Sequence, residues 1–512
     1  MRNLSAKHHL LLSYAISATI MCTLMCTASF HYSTFNSEPD LSIHSQFCWL
    51  ISHHGLFEPA TLLSSLLGFQ ASPLADHFSI LLIPLAVVYR LIPSPLTLIF
   101  IQSLCAWLFI FGVILVIHRR LSNPTAKIIT SAALSLYPPL HFQLVFDFHM
   151  DAFIALSIPW LWIGITEQRL WLFLSSLLVA LLAKETGALF MLAFGIALSF
   201  TGQYRRLGIW VCAASIAWLL ASQFLLQTLR GYRMHTAALT FYGYLGSSLE
   251  EIILNAILHP SKLLELLLSQ DTVLAAIQML LPLLFLPAVC PLFFIPSLAP
   301  FIQVFVSAHQ PMRNFAYWGL IPCSAFLILG CVESISLITD NLVRKIRNGS
   351  ERKALNLSQF AIALALLSST ILSWQIVFPY ELYFGHGLKH LNAPRVQAIK
   401  EALKLIPNGA PVIASAHLLS HLSNRRLVWM FEWDNPLRDE RTRLSQKWHG
   451  EMPSEDVYIA VELTPLCTRC TREKANILQQ VKEMKRWRKI ERLVENKHIV
   501  LLRYCPHDGH SE

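Results

Sequence analysis

The chain has 512 residues, of which 54% are hydrophobic and only 14% charged, where an ordinary soluble domain carries about 25% charged residues. That balance excludes a single soluble globular domain and points to lipid. The net charge of +9 comes without any basic run interleaved with a recognisable binding motif, so no nucleic-acid partner is expected.

Arg2 and Lys7 precede the first apolar stretch in the manner of a signal peptide, but so many apolar runs follow that an uncleaved anchor is the simpler reading. Runs at 10–30, 96–117, 127–144, 151–166, 170–183, 187–200, 207–227, 272–290, 292–306, 315–338 and 357–378 predict about eleven transmembrane helices. They stop near Pro379. The expected organisation is a polytopic domain over 1–378 and a mostly soluble domain over 379–512. Residues 78–92, FSILLIPLAVVYRLI, are apolar but few, and contain Pro84; they read as a re-entrant or interfacial helix in the first external loop.

With a cytoplasmic N-terminus, the inside loops hold Arg2, Lys7, Arg119, Arg120, Lys127, Arg169, Arg205, Arg206, Arg344, Lys345, Arg347, Arg352 and Lys353. The outside loops before residue 379 hold only Arg90, Lys184, Arg230, Arg233, Lys262 and Arg313. The positive-inside rule therefore sets the orientation, and an odd number of spans places the terminal domain outside the cytoplasm. If 78–92 spanned, every later loop would invert.

The terminal domain reads as mixed α/β. Strands are expected at 411–415, 426–431, 456–463 and 498–504, with a helix across 472–487. The run KEMKRWRK at 482–489 fits a solvated helix face. Cys467 and Cys470 form a single C-x-x-C, compatible with a disulfide, half a metal site or neither.

On this topology the conspicuous polar residues gather on the external side: Asp40; Asp76 and His77; Asp147, His149 and Asp151; Lys184 and Glu185; His309 and Arg313. Charges set among apolar runs usually face a cavity, and one shared cavity accounts for all of them. Asp147 and Asp151 also fit ordinary helix termination. Lys184 and Glu185 interrupt LLVALLAKETGALFMLAF, where buried charges need partners. Asp76, His77, Asp147 and His149 are metal-competent, so a divalent cation is a possible cofactor. No glycine-rich phosphate loop, Rossmann fingerprint or D-x-D lies outside the cytoplasm, which disfavours a nucleotide-sugar donor.

The succession DLSIHSQFCWLISHHG (40–55), ADHFSILLIPLAVVYRLIPSPLTL (75–98), FDFHMDAF (146–153), LLAKETGAL (181–189) and ASAHLLSHLSNRR (414–426) resembles a family of bacterial polytopic membrane proteins. That family is catalogued as a domain of unknown function, numbered two-zero-seven-nine, and the resemblance covers roughly residues 38–460. The family is in turn similar, at a distance, to the GT-C glycosyltransferases, membrane enzymes that move a sugar from a polyprenyl-phosphate donor to an acceptor on the external face.

The resemblance implies an all-α, GT-C-like polytopic domain with a small C-terminal α/β extracytoplasmic domain, set among the lipids of a bacterial inner membrane. It implies a glycosyltransferase with a polyprenyl-phosphate sugar as donor. The catalytic base would be an acidic residue of the first external loop, Asp40 by position with Asp76 in reserve. Lys184 and Arg313, with His77, His149 and His309, would serve the phosphate or a cation bridging it, and Asp147 and Glu185 would complete the substrate-binding face. The chain departs from the family pattern at Ser45, where members usually carry a second acid, and at His44, usually an aromatic. A transporter or flippase with the same residues along a path, or a non-catalytic assembly protein derived from such an enzyme, are the alternatives; neither an inverted repeat nor deep charges outside the Lys184 region favour the transporter.

Overall fold

A computed structural model describes residues 2–63, 71–145, 147–231, 236–344, 351–378, 393–431, 455–463 and 490–505. In chain order the helices are α1 (Arg2–Ser33), α2 (Pro39–His53), α3 (Leu82–Leu91), α4 (Pro95–Arg120), α5 (Pro124–Ser135), α6 (Pro138–Val145), α7 (Asp151–Thr166), α8 (Leu170–Ala183), α9 (Glu185–Ser199), α10 (Arg205–Leu229), α11 (Thr236–Tyr242), α12 (Leu249–Leu258), α13 (Pro260–Leu267), α14 (Gln270–Leu280), α15 (Pro291–Phe305), α16 (Ile321–Arg344), α17 (Glu351–Ile376), α18 (Ala393–Lys404) and α19 (Ala416–Leu419). The strands are β1 (Val412–Ala414), β2 (Val428–Met430), β3 (Val457–Glu462), β4 (Ile490–Glu495) and β5 (Ile499–Tyr504). The chain divides into two compact units, one of residues 1–28, 77–81 and 99–383, the other of 29–76, 82–98 and 384–512.

The first unit is a helical bundle. Its central helix is α16, whose Ile321, Ala325, Phe326, Ile328, Leu329 and Val332 are fully buried, and α7, α15 and α17 pack around it. Among the described residues, five helices are long and apolar enough to cross a membrane, and a sixth span results if α13 and α14, bent by 58°, are taken together. The remaining expected spans are shorter helices. That at 127–144 is two pieces, α5 and α6, because Pro138 and Pro139 cannot continue a helix begun at Pro124. Where α9 meets α10 the backbones nearly touch: a Cβ on Gly208 would lie 2.5 Å from the Ser199 nitrogen, the close approach that small residues permit between membrane helices. Polar ties fasten the ends. Glu333 accepts from Arg120 Nε (2.9 Å) and Trp162 Nε1 (2.7 Å), and Gln359 Oε1 accepts from the Ser122 and Asn123 amides (2.9 and 3.0 Å).

The second unit holds a five-stranded sheet in the order β2-β1-β3-β5-β4, with β1 parallel to β2 and β3 and the last two pairings antiparallel. The expected strands at 411–415, 426–431, 456–463 and 498–504 correspond to β1, β2, β3 and β5; β4 is an addition. The expected helix at 472–487, the basic run at 482–489 and Cys467 and Cys470 lie outside the described residues. α2 packs on α3, and α3, with ten residues, rises about 15 Å, half of the hydrocarbon thickness.

Side chains of the C-terminal segment seize the turn between α1 and α2. Arg395, 1% exposed, pairs with fully buried Glu462 (2.6 Å) and donates to the carbonyls of Thr34 (2.9 Å) and Phe35 (3.2 Å). His417 Nδ1 bonds the Ser37 carbonyl (3.1 Å), His421 Nε2 that of Tyr32 (2.9 Å), and the Ser37 and Ser420 hydroxyls meet at 2.8 Å. Burial lowers the His421 imidazole to a pKa of about 4, so at neutral pH the ring is uncharged and donates Nε2–H.

Candidate functional site

Lys184 is the single residue between α8 and α9. Its extended backbone (φ −166°, ψ 151°) turns its side chain and that of Glu185 to different partners. Lys184, 5% exposed, places Nζ 3.5 Å from Asp151 Oδ2 and 4.6 Å from the centre of the Trp318 ring, an aromatic face that adds cation–π attraction to the ion pair. Asp151 is the first residue of α7 and 3% exposed. Glu185, the first residue of α9, takes His77 Nδ1 at 2.7 Å and the Phe78 amide at 3.0 Å.

The 147–151 stretch is held from α4. Gln102 Nε2 donates to the Leu144 carbonyl (2.8 Å) and to that of Asp147, and its Oε1 accepts from the His149 amide (2.7 Å). The His149 ring then stacks on Trp318 at 4.3 Å, 12° from parallel. Lys184 and His149 thus meet on one indole, with Asp151 paired to Lys184 and Asp147 (5% exposed) in the same pinned loop.

The structure brings together His77, His149, Lys184 and Glu185 from the sequence-derived set. His309 and Arg313 belong to the loop that carries Trp318 but partner elsewhere. Arg313 Nη2 lies 3.9 Å from Asp271 Oδ2, while the His309 ring packs at 5.7 Å on Phe241. Asp40 and Asp76 belong to the second unit. Asp40 sits in the first turn of α2, its carbonyl accepting from His44 Nδ1 (2.8 Å), and Asp76 ends the 3-10 turn Pro73–Ala75. Among the described residues, no three His, Cys, Asp or Glu side chains gather closely enough to hold a metal ion. Sequence reasoning missed Trp318 and Gln102; for Gln102 the signal was a lone amide inside the apolar helix α4.

The helices that meet at this cluster are short. α7, α8 and α9 have 16, 14 and 15 residues and rise about 21–24 Å, against roughly 30 Å of hydrocarbon. The turn from α7 to α8 carries Glu167, paired with Arg119 and with Arg169 (2.8 Å). Lys184 and Asp151 lie together at the opposite end of α7 and α8 from that turn.

A family model described as predicted membrane protein, DUF2079, matches residues 30–489. The chain belongs to the DUF2079 family. No curated protein sequence matches it. Among solved structures, ArnT from Cupriavidus metallidurans bound to undecaprenyl phosphate is similar over 95% of this DUF2079 chain and 97% of its own, at 10% identity and a TM-score of 0.53. The apo state of the same ArnT matches at 11% identity, 95% and 98% coverage and a TM-score of 0.46. The Archaeoglobus fulgidus oligosaccharyltransferase in its apo form matches at 13% identity, 87% and 69% coverage and a TM-score of 0.43. At such identities the likeness is one of fold: this DUF2079 protein has a GT-C-like helical membrane domain with a small C-terminal sheet.

Proposed function

We propose that this DUF2079 protein is a GT-C-like glycosyltransferase that moves a sugar from a polyprenyl-phosphate donor to an envelope acceptor on the external membrane face. The observation that carries the reading is Lys184: a buried ammonium at a helix break, paired with the Asp151 carboxylate at 3.5 Å and faced by the Trp318 indole, on which His149 stacks. The undecaprenyl phosphate bound to the ArnT of similar fold supports a ligand of this class.

In the proposed reaction the acceptor hydroxyl oxygen bonds to the anomeric carbon as the bond from that carbon to the phosphate oxygen breaks. The hydroxyl proton passes to a carboxylate of the first external loop, Asp40 or else Asp76. The electron pair of the broken bond leaves on polyprenyl phosphate, whose charge Lys184 stabilises. His77, Asp147, His149, Glu185, His309 and Arg313 are proposed to shape the surroundings of the donor. The orientation has the N-terminus in the cytoplasm of a bacterial inner membrane and residues 379–512 as an extracytoplasmic domain.

Lys184→Met tests the assignment. Expected is weakened binding of undecaprenyl phosphate, by roughly tenfold or more for loss of one charge-assisted contact, together with a lower melting temperature, since Asp151 loses its ammonium partner. Intact binding with a clear loss of thermal stability would make the Lys184–Asp151 pair structural and remove the phosphate site.

A further inference from the structure

Between α11 and α14 the chain forms two short helices, α12 and α13, with no buried residue on either. On α12, Leu249, Ile253, Leu254, Ile257 and Leu258 are 39% to 70% exposed. The opposite side of the helix faces the protein, where Asn255 Nδ2 donates to the Leu245 carbonyl (2.6 Å). The N-terminus is fixed as well: Ser248 Oγ accepts from the Glu251 amide (3.2 Å) and Glu251 Oε2 accepts from the Ser247 amide (2.8 Å), a reciprocal cap. The aliphatic face is therefore held outward by a well-anchored helix.

The level of this helix in the bundle follows from the residues just before it. The Ala308 amide donates to the Phe241 carbonyl (2.8 Å), Tyr242 OH to that of Gln303 (2.8 Å) and Tyr244 OH to that of Val306 (2.9 Å). All three ties fall at the C-terminal end of the apolar helix α15. α10, long and apolar enough to span, delivers the chain into the segment, and the 58° bend between α13 and α14 turns it back into the bundle. Leu220 and Phe224 on α10 are also exposed.

We infer that residues 249–268 lie in the plane of the membrane at its external interface, with the aliphatic face of α12 in the upper acyl chains and Lys262 and Glu265 of α13 at the phospholipid headgroups. An anchored apolar face, flanking charges and a position at the end of a spanning bundle are what an interfacial helix requires. The occupant of the face is phospholipid.

The test uses the full-length protein in nanodiscs of phosphatidylethanolamine and phosphatidylglycerol carrying a photoreactive diazirine either near the acyl carbonyl or at the terminal methyl, with adducts mapped by mass spectrometry. Expected is labelling of peptides within 249–268 by the shallow probe and its loss with the deep one, while α10 is labelled by both. Labelling by the deep probe would mean insertion as a span. Absence of label from both, with α10 labelled, would mean that water or protein covers the face, and either result overturns the inference. The readout depends on no catalytic activity, so it stands or falls apart from the glycosyltransferase reading.

Discussion

Lys184 and Glu185 read in the sequence as one pair, because two opposite charges interrupt a long apolar run. The requirement that each find a partner was legible there; the identity of the partner was not. One extended residue between two helices sends Lys184 to Asp151 and Trp318 and leaves Glu185 to His77 and the Phe78 amide, and contacts so distant along the chain leave no trace in local spacing. The departure at position 45 has a physical consequence of the same kind. Ser45 is fully buried, whereas Asp40, in the first turn of α2, remains partly open, which is compatible with the proposal of Asp40 as the base. Asp40→Asn is expected to leave folding nearly unchanged and to lower transfer from a polyprenyl-phosphate sugar by a factor on the order of 100 or more, read as release of polyprenyl phosphate. An active Asp40→Asn beside a dead Asp76→Asn would move the base to Asp76, and full activity in both would remove the first external loop from the chemistry.

Among the elements, long apolar helices and the inner strands announced themselves and the edges did not. β3 is buried along its whole length and follows an unbroken apolar run, whereas β4, IERLVE, is mostly open and pairs only with β5 at the sheet's edge, so little burial patterns its sequence. The latch on the turn after α1 was also hidden, since Arg395 sits in an unremarkable amphipathic helix. Its guanidinium spans Glu462 and two carbonyls, so Arg395→Met strands a buried carboxylate and is expected to cost about 3–5 kcal/mol. Thermal unfolding measures it, and recovery in the Arg395→Met, Glu462→Leu double variant identifies the stranded charge as the cause. A failure of the double variant to recover would assign the loss to the Thr34 and Phe35 contacts instead. His421 adds a pH dependence. Its pKa is lowered from 6.5 to about 4 by burial, so an unfolded chain takes up the proton first. Stability is fully present above about pH 6.5 and falls as pH drops from there toward 4. Denaturation midpoints across that window, compared with those of His421→Phe, should show the slope shrink in the variant; an equal slope would assign it to other groups.

For the molecule as a whole, the sequence reading and the helix lengths meet in the topology. Eleven apolar runs were expected, and among the described residues five helices reach a spanning length by themselves, or six with the bent pair. The rest are helices of 8–16 residues whose ends coincide with prolines or with the charged cluster at Lys184, so residues that stop a helix within the bundle also supply its polar interior. Hydropathy registers apolar length and cannot tell a full crossing from a short helix sheltered by neighbours. The orientation must therefore rest on charge. Arg119 and Arg120 close α4, Arg205 and Arg206 open α10, and Arg344 closes α16, each at the end of a helix long enough to cross. Under the positive-inside rule those ends are expected in the cytoplasm, and with them the charged turn at Glu167, tied to Arg119. Reporter fusions after Arg120, Arg206 and Arg344 are expected to report cytoplasm, and one after Lys404 in α18 the external side. A cytoplasmic signal after Lys404 with the other three unchanged would require an even number of crossings and would take the terminal sheet, and with it the proposed external chemistry, to the wrong side of the membrane.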